Sequence, residues 1–178
     1  MEIRRLRPSD DRSRFRSGDP DLDRFFGAYA GQNQFRHHVG VTYVADEGDE
    51  VLGYLTVAPG GIEIDELPVA ARRGLPRYPL PVLRLARLAV DSRVRGQGLG
   101  EQLLRFALGL TLAMAEDYGC VGIVVDAKPG AEPFYRRYGF RPIDLLEGLS
   151  EARPRPTPMF LPTSEILAAT AVGLRRQA

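Results

Sequence analysis

Six residues, Arg95-Gly96-Gln97-Gly98-Leu99-Gly100, carry the clearest chemical signal in this chain. An apolar run, Leu85-Ala86-Arg87-Leu88-Ala89-Val90-Asp91, leads into them, and an apolar-periodic stretch from about Leu99 to Tyr118 follows. The order is strand, glycine-dense turn, helix. Glycines let backbone N–H groups close on phosphate oxygens, and the unpaired amides and positive dipole end of the next helix favour an anion. Arg95 adds a fixed positive charge at the mouth. Spacing narrows the ligand. A dinucleotide fingerprint needs G-x-G-x-x-G, and here the third glycine arrives one residue early. A nucleotide-triphosphate loop needs Lys then Ser or Thr after its last glycine, whereas Glu101 and Gln102 stand there. The pattern that remains is Arg-x-x-Gly-x-Gly, at Arg95, Gly98 and Gly100.

Other residues with chemical potential are less persuasive. His37 and His38 are adjacent in an expected loop, with no acidic partner in view. Cys120, the single cysteine, leads a strand and reads as a small core residue; one cysteine excludes an intramolecular disulfide and fits a reducing compartment. Asp91 closes a strand and reads as a cap for the glycine turn rather than a base. No spacing of His, Cys, Asp and Glu calls for a metal.

The 178 residues suit one domain, 1–178, large enough to bury a core. The 44% hydrophobic and 26% charged content is that of a globular chain, and no run approaches the ~20 apolar residues of a membrane span. The charged opening, Met1 to Arg16, is not a signal peptide, so a cytoplasmic location is expected. Net charge is only +1, but every basic residue except Lys128 is arginine. Arginines crowd the N-terminus and recur at Arg72, Arg73, Arg77, Arg84 and Arg87. Such clusters suit phosphate recognition or a solvated face equally.

The elements that must position these residues follow from periodicity. Met1 to Arg7 is an expected edge strand. Asp19-Pro20-Asp21 starts a helix with Leu22, Phe25, Phe26 and Tyr29 at helical spacing, ending near Gly31. Val39–Val44 and Val51–Ala58 form a hairpin around Asp46-Glu47-Gly48-Asp49. Pro59-Gly60-Gly61 breaks it, and Ile62 to Leu67 reads as a further short strand. After an irregular stretch rich in Pro and Arg come the strand Val82–Val90, the long helix and a β-branched strand from Val121 to Ala127. A short helix containing Tyr135 is stopped by Gly139, and a last strand at Met159-Phe160-Leu161 precedes a helix from about Ser164. The order is mixed α/β with a strand–helix–strand crossover.

Three motifs in order, Leu-Ala-Val-Asp at 88–91, Arg-x-x-Gly-x-Gly at 95–100 and Phe-Tyr-x-x-Tyr-Gly-Phe at 134–140, resemble the GNAT N-acetyltransferases. The resemblance implies an α/β (α+β) fold with a mixed central sheet of about six to seven strands and flanking helices, splayed at a bulged central strand where acetyl-CoA enters. It implies that the backbone of Leu88, Ala89 and Val90 pairs with the pantetheine arm and acetyl carbonyl. The loop Arg95, Gly96, Gln97, Gly98, Leu99 and Gly100 would take the pyrophosphate. Tyr135 would face the cofactor sulfur; a reference pKa near 10, above the roughly 8.5 of a thiol, keeps it protonated at neutral pH, so it would donate a hydrogen bond or a proton to the leaving group. Tyr138, one turn on, is the local competitor.

Phe15-Arg16-Ser17-Gly18-Asp19-Pro20-Asp21-Leu22-Asp23, then Gln32-Asn33-Gln34, Leu75 to Val82 and Met159-Phe160-Leu161-Pro162 look like the GNAT toxins of toxin–antitoxin modules. This similarity runs to about Ile166. It implies acetylation of the α-amino group of aminoacyl-tRNA, blocking translation, with Arg72, Arg73, Arg77, Arg84 and Arg87 meeting the tRNA. A homodimer and a small antitoxin partner are implied as well. The esterified α-amine has a low pKa for an amine, so the lack of an evident enzymic base fits that substrate. A small-molecule or protein amine as acceptor, or a non-catalytic acyl-CoA-binding regulator, are the alternatives.

Overall fold

A computed structural model describes residues 1–144 and 154–177, with side chains described to residue 171. Seven strands make a mixed sheet in the order β1-β2-β3-β4-β5-β7-β6. They are β1 (Glu2–Arg5), β2 (Val41–Glu47), β3 (Glu50–Ile62), β4 (Leu80–Val90), β5 (Gly122–Ala127), β6 (Arg141–Pro142) and β7 (Thr157–Pro162). The helices are α1 (Pro20–Arg24), α2 (Ala30–Gln32), α3 (Leu99–Asp117), α4 (Glu132–Arg136) and α5 (Thr163–Gln177). Contacts divide the chain into two compact units, Met1–Ala58 with Leu85–Gly109 and Pro59–Arg84 with Leu110–Ala178.

In the first unit the hairpin of β2 and β3 turns on Gly48 and Asp49, with φ of 55° and 69°. Positive φ at both central residues is what a two-residue turn matching strand twist requires, so the strands run longer than their apolar cores. The core joins Leu6, Phe15, Phe26, Val44, Tyr54 and Ala89. Phe26 stacks on Tyr54 with centroids 4.4 Å apart, and Phe15 meets both rings edge-on. The buried Tyr54 hydroxyl donates to the carbonyl of Leu22 at 2.9 Å, and burial raises its pKa. Leu99, Leu103 and Ala107 form the inner stripe of α3. That stripe lies close to β3: a Cβ on Gly53 would meet Leu103 at 3.0 Å and Leu99 at 3.1 Å.

The helical segment after Asp19 is longer than its sequence periodicity. Asp19 caps it, its carboxylate accepting from the N–H groups of Asp21 (3.0 Å) and Leu22 (3.2 Å), with Pro20 opening the first turn. Beyond Arg24 it alternates π turns, Phe25–Tyr29 and Asn33–His37, with the single α turn of α2. A π turn displaces a carbonyl from its usual partner. Here Arg12 donates to the Phe26 carbonyl at 3.1 Å, passing close to Gly31. The segment ends at His38, in the left-handed conformation.

Strand β4 stops at Asp91, a carboxylate with no exposed surface. It accepts from the backbone N–H of Arg16 (3.1 Å) and Arg93 (3.0 Å) and from Arg93 Nε (2.8 Å) and Nη2 (3.0 Å). These donors, the Arg93 guanidinium first, hold its pKa down to about 2. The Asp91 N–H bonds Leu52 O and the Ser92 N–H bonds Arg16 O, both at 2.8 Å. Asp91 is therefore the cap expected of it.

The core of the second unit joins Ile62, Leu67, Leu80, Val82, Val124 and Phe160. Two expectations are corrected here. Pro59-Gly60-Gly61 does not end the hairpin, because β3 continues to Ile62, with Gly60 lying against Val82. The stretch after it is no strand: Ile64–Glu66 is a 3-10 turn closed by reciprocal bonds between Glu63 and Glu66. Each side chain satisfies the other's backbone N–H, which outweighs the β-branched composition of the stretch.

Two predictions follow from this packing. On Gly122 a Cβ would overlap the Phe160 ring and the Leu161 carbonyl. Gly122→Ala should therefore destabilise the protein by about 1–3 kcal/mol, read as a lower urea midpoint. Asp91 has a depressed folded pKa, so its contribution is complete above about pH 4 and fades as pH falls toward about 2. Asp91→Asn should lower stability at pH 7 and flatten the acid limb of the stability–pH curve; an unchanged limb would contradict the assignment.

Candidate functional site

The glycine loop lies in the first unit. After Asp91 a 3-10 turn, Ser92–Val94, carries the chain to Arg95, where the backbone is extended. Gly96 and Gly98 then take φ of 80° and 83°, and a Cβ on either would meet nothing within 4 Å. Their role is conformational rather than steric. Left-handed backbone at both positions alternates the peptide planes, and side-chain-bearing residues resist it by about 1–2 kcal/mol each. The helix α3 begins at once, its first bond running from Gln102 N–H to Gly98 O at 3.1 Å. The amides of its first turn have no intrahelical acceptor and sit at the positive dipole end. Leu99 is buried and anchors the turn, whereas Arg95, Gly96, Gln97 and Gly98 are exposed. The N–H groups of Arg95 and Gln97 turn back to the carbonyls of Ser92 and Val94, and the exposed amides at Gly96, Gly98 and the first turn of α3 suit an anion such as a pyrophosphate.

Arg95 does more than supply charge at the mouth. Its Nη2 donates to the carbonyl of Ser17 and lies 3.4 Å from where a Cβ of Gly18 would stand. Gly18 has φ of 86°. Ser17 is buried, and both its N–H (2.8 Å) and its hydroxyl (2.6 Å) donate to Asp23 Oδ1. The segment Arg16–Asp23 is thus a strap bound to the root of the loop at Asp91, Ser92 and Arg95. Its role was not legible in sequence; the Ser-Gly-Asp-Pro run announces a turn but not what the turn holds.

On β4, Ala89 is buried while Leu88 and Val90 are half-exposed. Arg87 is exposed, its guanidinium 4.8 Å from the Phe25 ring centroid.

Tyr135 belongs to the second unit. It lies in α4, is only 7% exposed, and packs edge-on against Phe140 at 5.5 Å. Gly139, at φ of 91°, turns the chain so that the N–H groups of Tyr138 and Phe140 both bond the Tyr135 carbonyl. Burial alone pushes its phenol up to about 12. Tyr135 is therefore a hydrogen-bond donor throughout the neutral range. Tyr138 differs: it is half-buried, and its hydroxyl accepts from Arg137 at 3.4 Å. Cys120 is buried with its thiol on the Gly122 carbonyl, and burial raises its pKa. Both histidines are exposed, and His37 contacts Gln32 at 3.3 Å. Among the described residues no cluster of His, Cys, Asp and Glu is placed to hold a metal. No helix among them is long and apolar enough to cross a membrane.

The arginines singled out in sequence have unlike fates. Arg72 donates to the carbonyls of Leu67 and Asp65, each at 2.8 Å, so it staples its own loop. Arg84 pairs with Asp126 at 2.9 Å. Arg73 is exposed and lines a cavity of about 400 Å³ with Leu67, Leu75, Val121, Arg141 and Phe160. Arg77 is exposed beside the exposed Tyr78.

The chain is similar to known proteins. An acetyltransferase (GNAT) domain model matches residues 38–142. A tRNA-acetylating toxin of Mycobacterium tuberculosis (strain ATCC 25618 / H37Rv) is 33% identical over 159 residues, covering 84% of this chain and 93% of the toxin. The structure of AtaT complexed with acetyl-methionyl-tRNAfMet superposes with a TM-score of 0.81 at 26% identity, covering 95% of this chain and 98% of that one. AtaTR bound with AcCoA gives 0.76 at 27% identity, covering 95% and 97%. Loop, tyrosine and matches agree: this chain belongs to the GNAT acetyltransferase family.

Proposed function

We propose that this chain, as one acetyltransferase domain acting in the cytoplasm, transfers acetyl from acetyl-CoA to the α-amino group of aminoacyl-tRNA and so arrests translation. The observation that carries the acetyl-CoA half is the pair of left-handed glycines, Gly96 and Gly98, opening directly onto the first turn of α3. The substrate half is supported by 33% identity to a tRNA-acetylating toxin across nearly the whole of both chains. AtaT has been solved with the C-terminus of its antitoxin AtaR, which supports a small protein antitoxin for this chain also. We extend the reading to a homodimer.

Acetyl-CoA supplies an acyl group activated as a thioester. The loop 95–100 holds its pyrophosphate, with the N–H groups of Gly96, Gly98 and Gly100 as donors, and the backbone of Leu88, Ala89 and Val90 orients the pantetheine arm and the acetyl carbonyl. The neutral α-amine attacks the carbonyl carbon; the N–C bond forms and the C–S bond breaks. Tyr135 gives its phenolic proton to the departing sulfur. Its raised pKa makes the phenolate a strong base, so it recovers a proton, in net terms the one shed by the new amide nitrogen. No separate carboxylate or His is needed, because an esterified α-amine is substantially neutral near pH 7–8.

Tyr135→Phe should lower kcat by about 10²–10⁴-fold with acetyl-CoA affinity held within about twofold, measured by steady-state kinetics and calorimetry. An effect below about twofold on kcat would move the proton transfer to Tyr138 or water. Gly98→Glu combines a strained φ with a negative charge in the phosphate cradle and should abolish acetyl-CoA binding in a protein that still folds; unchanged calorimetric affinity would remove the loop assignment. The decisive assay for the acceptor is mass spectrometry of aminoacyl-tRNA after incubation with acetyl-CoA and enzyme. Acetylated aminoacyl-tRNA confirms the reading, whereas turnover only with small or protein amines overturns it.

A further inference from the structure

We infer that Asp23 is a positioning residue for the cofactor's pyrophosphate, fixing Ser17 so that the Ser17 carbonyl holds the Arg95 guanidinium at the entrance of the glycine loop. The inference rests on the acetyl-CoA reading above.

Two observations carry it. The first is the contrast between two neighbouring arginines. Arg93 is spent on acids: its Nε and Nη2 donate to Asp91, and its Nη1 pairs with Glu50 at 2.5 Å. Arg95 is held differently. Its Nη2 donates to the carbonyl of Ser17, and among the described residues no carboxylate pairs with it. A guanidinium tethered to a carboxylate has its charge answered, whereas one tethered to a neutral carbonyl keeps it. Arg95 is exposed, and a guanidinium carries several N–H donors in a fixed fork, so the tether leaves others for an anion. Order matters as much as charge. A free arginine loses rotamer entropy when an anion fixes it; a tethered one has lost that entropy on folding.

The second observation is how the tether is itself fixed. Ser17 is buried, and its N–H and hydroxyl both donate to one oxygen of Asp23, at 2.8 and 2.6 Å. The Asp19 N–H returns to the same hydroxyl at 3.1 Å. Gly18 follows with φ of 86°, and a Cβ there would stand 3.4 Å from Arg95 Nη2, so the turn lets the guanidinium pass close to the backbone. Arg16 bonds the root of the loop, at Asp91 and Ser92. The Ser17 carbonyl instead reaches a residue of the loop itself. Asp23 stands in α1, outside the loop, and acts on the cofactor through Ser17 and Arg95.

The test uses the full chain and two probes read by calorimetry, acetyl-CoA and S-acetylpantetheine at millimolar concentration, the second lacking the pyrophosphate. Asp23→Ala should weaken acetyl-CoA about tenfold and change S-acetylpantetheine by less than about twofold. Asp23→Asn keeps an oxygen able to accept both bonds, so its acetyl-CoA affinity should stay within about threefold of the parent. In an Arg95→Met background, Asp23→Ala should add less than about twofold, because the tether it serves is gone. Where S-acetylpantetheine binds too weakly to read, this cycle decides alone. Equal weakening of the two probes, or full additivity with Arg95→Met, makes Asp23 a general support of the fold and overturns the inference. Unchanged acetyl-CoA affinity in Asp23→Ala overturns it and leaves the loop assignment standing. A parent chain that binds no acetyl-CoA overturns both. If Asp23→Ala does not fold, Ser17→Ala, which removes only the hydroxyl donor, carries the same comparisons with an expected loss of about threefold.

Discussion

The buried carboxylate of Asp91 is the interaction on which the first unit depends. Three pieces of chain meet there: the end of β4, the strap at Arg16 and the turn at Arg93. A carboxylate with no exposed surface is costly to bury unless its acceptor sites are filled. Four N–H donors fill them. Because the donors come from separate segments, the cost of burial is met only when all of them are correctly placed. The carboxylate thus acts as a register pin. Four residues beyond it the backbone extends at Arg95, and one more brings the first left-handed glycine. If the loop holds phosphate as proposed, it does so with main-chain amides that have no side chains to adjust their fit, and its precision must come from its root.

That dependence explains what could and could not be read in the sequence. The loop was legible because its chemistry is local: strand, positive-φ glycines and helix start are adjacent in the chain. The short helix of Tyr135 was legible for the same reason, closed by Gly139. The strap was not, since its partners are up to 78 residues away. The π turns were missed because the spacing of Leu22, Phe25, Phe26 and Tyr29 satisfies an ordinary α-helix. The Phe26 carbonyl within that turn accepts from Arg12, a partner fourteen residues upstream that local spacing does not reveal. Pro59-Gly60-Gly61 looked like a break because both residue types usually interrupt strands. In the fold it is a stretch of β3 where small residues lie beside Val82 and Arg84.

The arginine content has a double meaning. Arg4 pairs with Asp10 and Asp46, Arg93 with Asp91 and Glu50, and Arg84 with Asp126. Arg72 and Arg95 serve main-chain carbonyls. The planar guanidinium suits such multi-point work better than an ammonium, which accounts for the near absence of lysine without any reference to RNA. A count of basic residues therefore overstates the charge offered to a polyanion, and the net value of +1 understates it. What matters is the local surplus left after internal pairing. In the acid-free span from Arg24 to Ala45, Arg24 is answered by Asp21 just outside it, which leaves Arg36 as its contribution to such a surplus.

Burial also decides what kind of catalyst Tyr135 can be. A phenol raised to about 12 by desolvation alone is a poor base precursor, because its anion is almost unpopulated near pH 7. The same environment favours donation at the moment negative charge gathers on sulfur, where few water molecules compete for the hydrogen bond. In the mechanism proposed above, Tyr135 assists the leaving group and leaves activation of the nucleophile to the nucleophile's own chemistry. Lysine amines, with reference pKa near 10.4, would be almost wholly protonated at neutral pH and would need a base to help them. An α-amine at about 8 or below needs little help. A buried phenol in the proposed role therefore suits an acceptor that is neutral by its own chemistry, as an ester-linked α-amine is and a side-chain lysine is not.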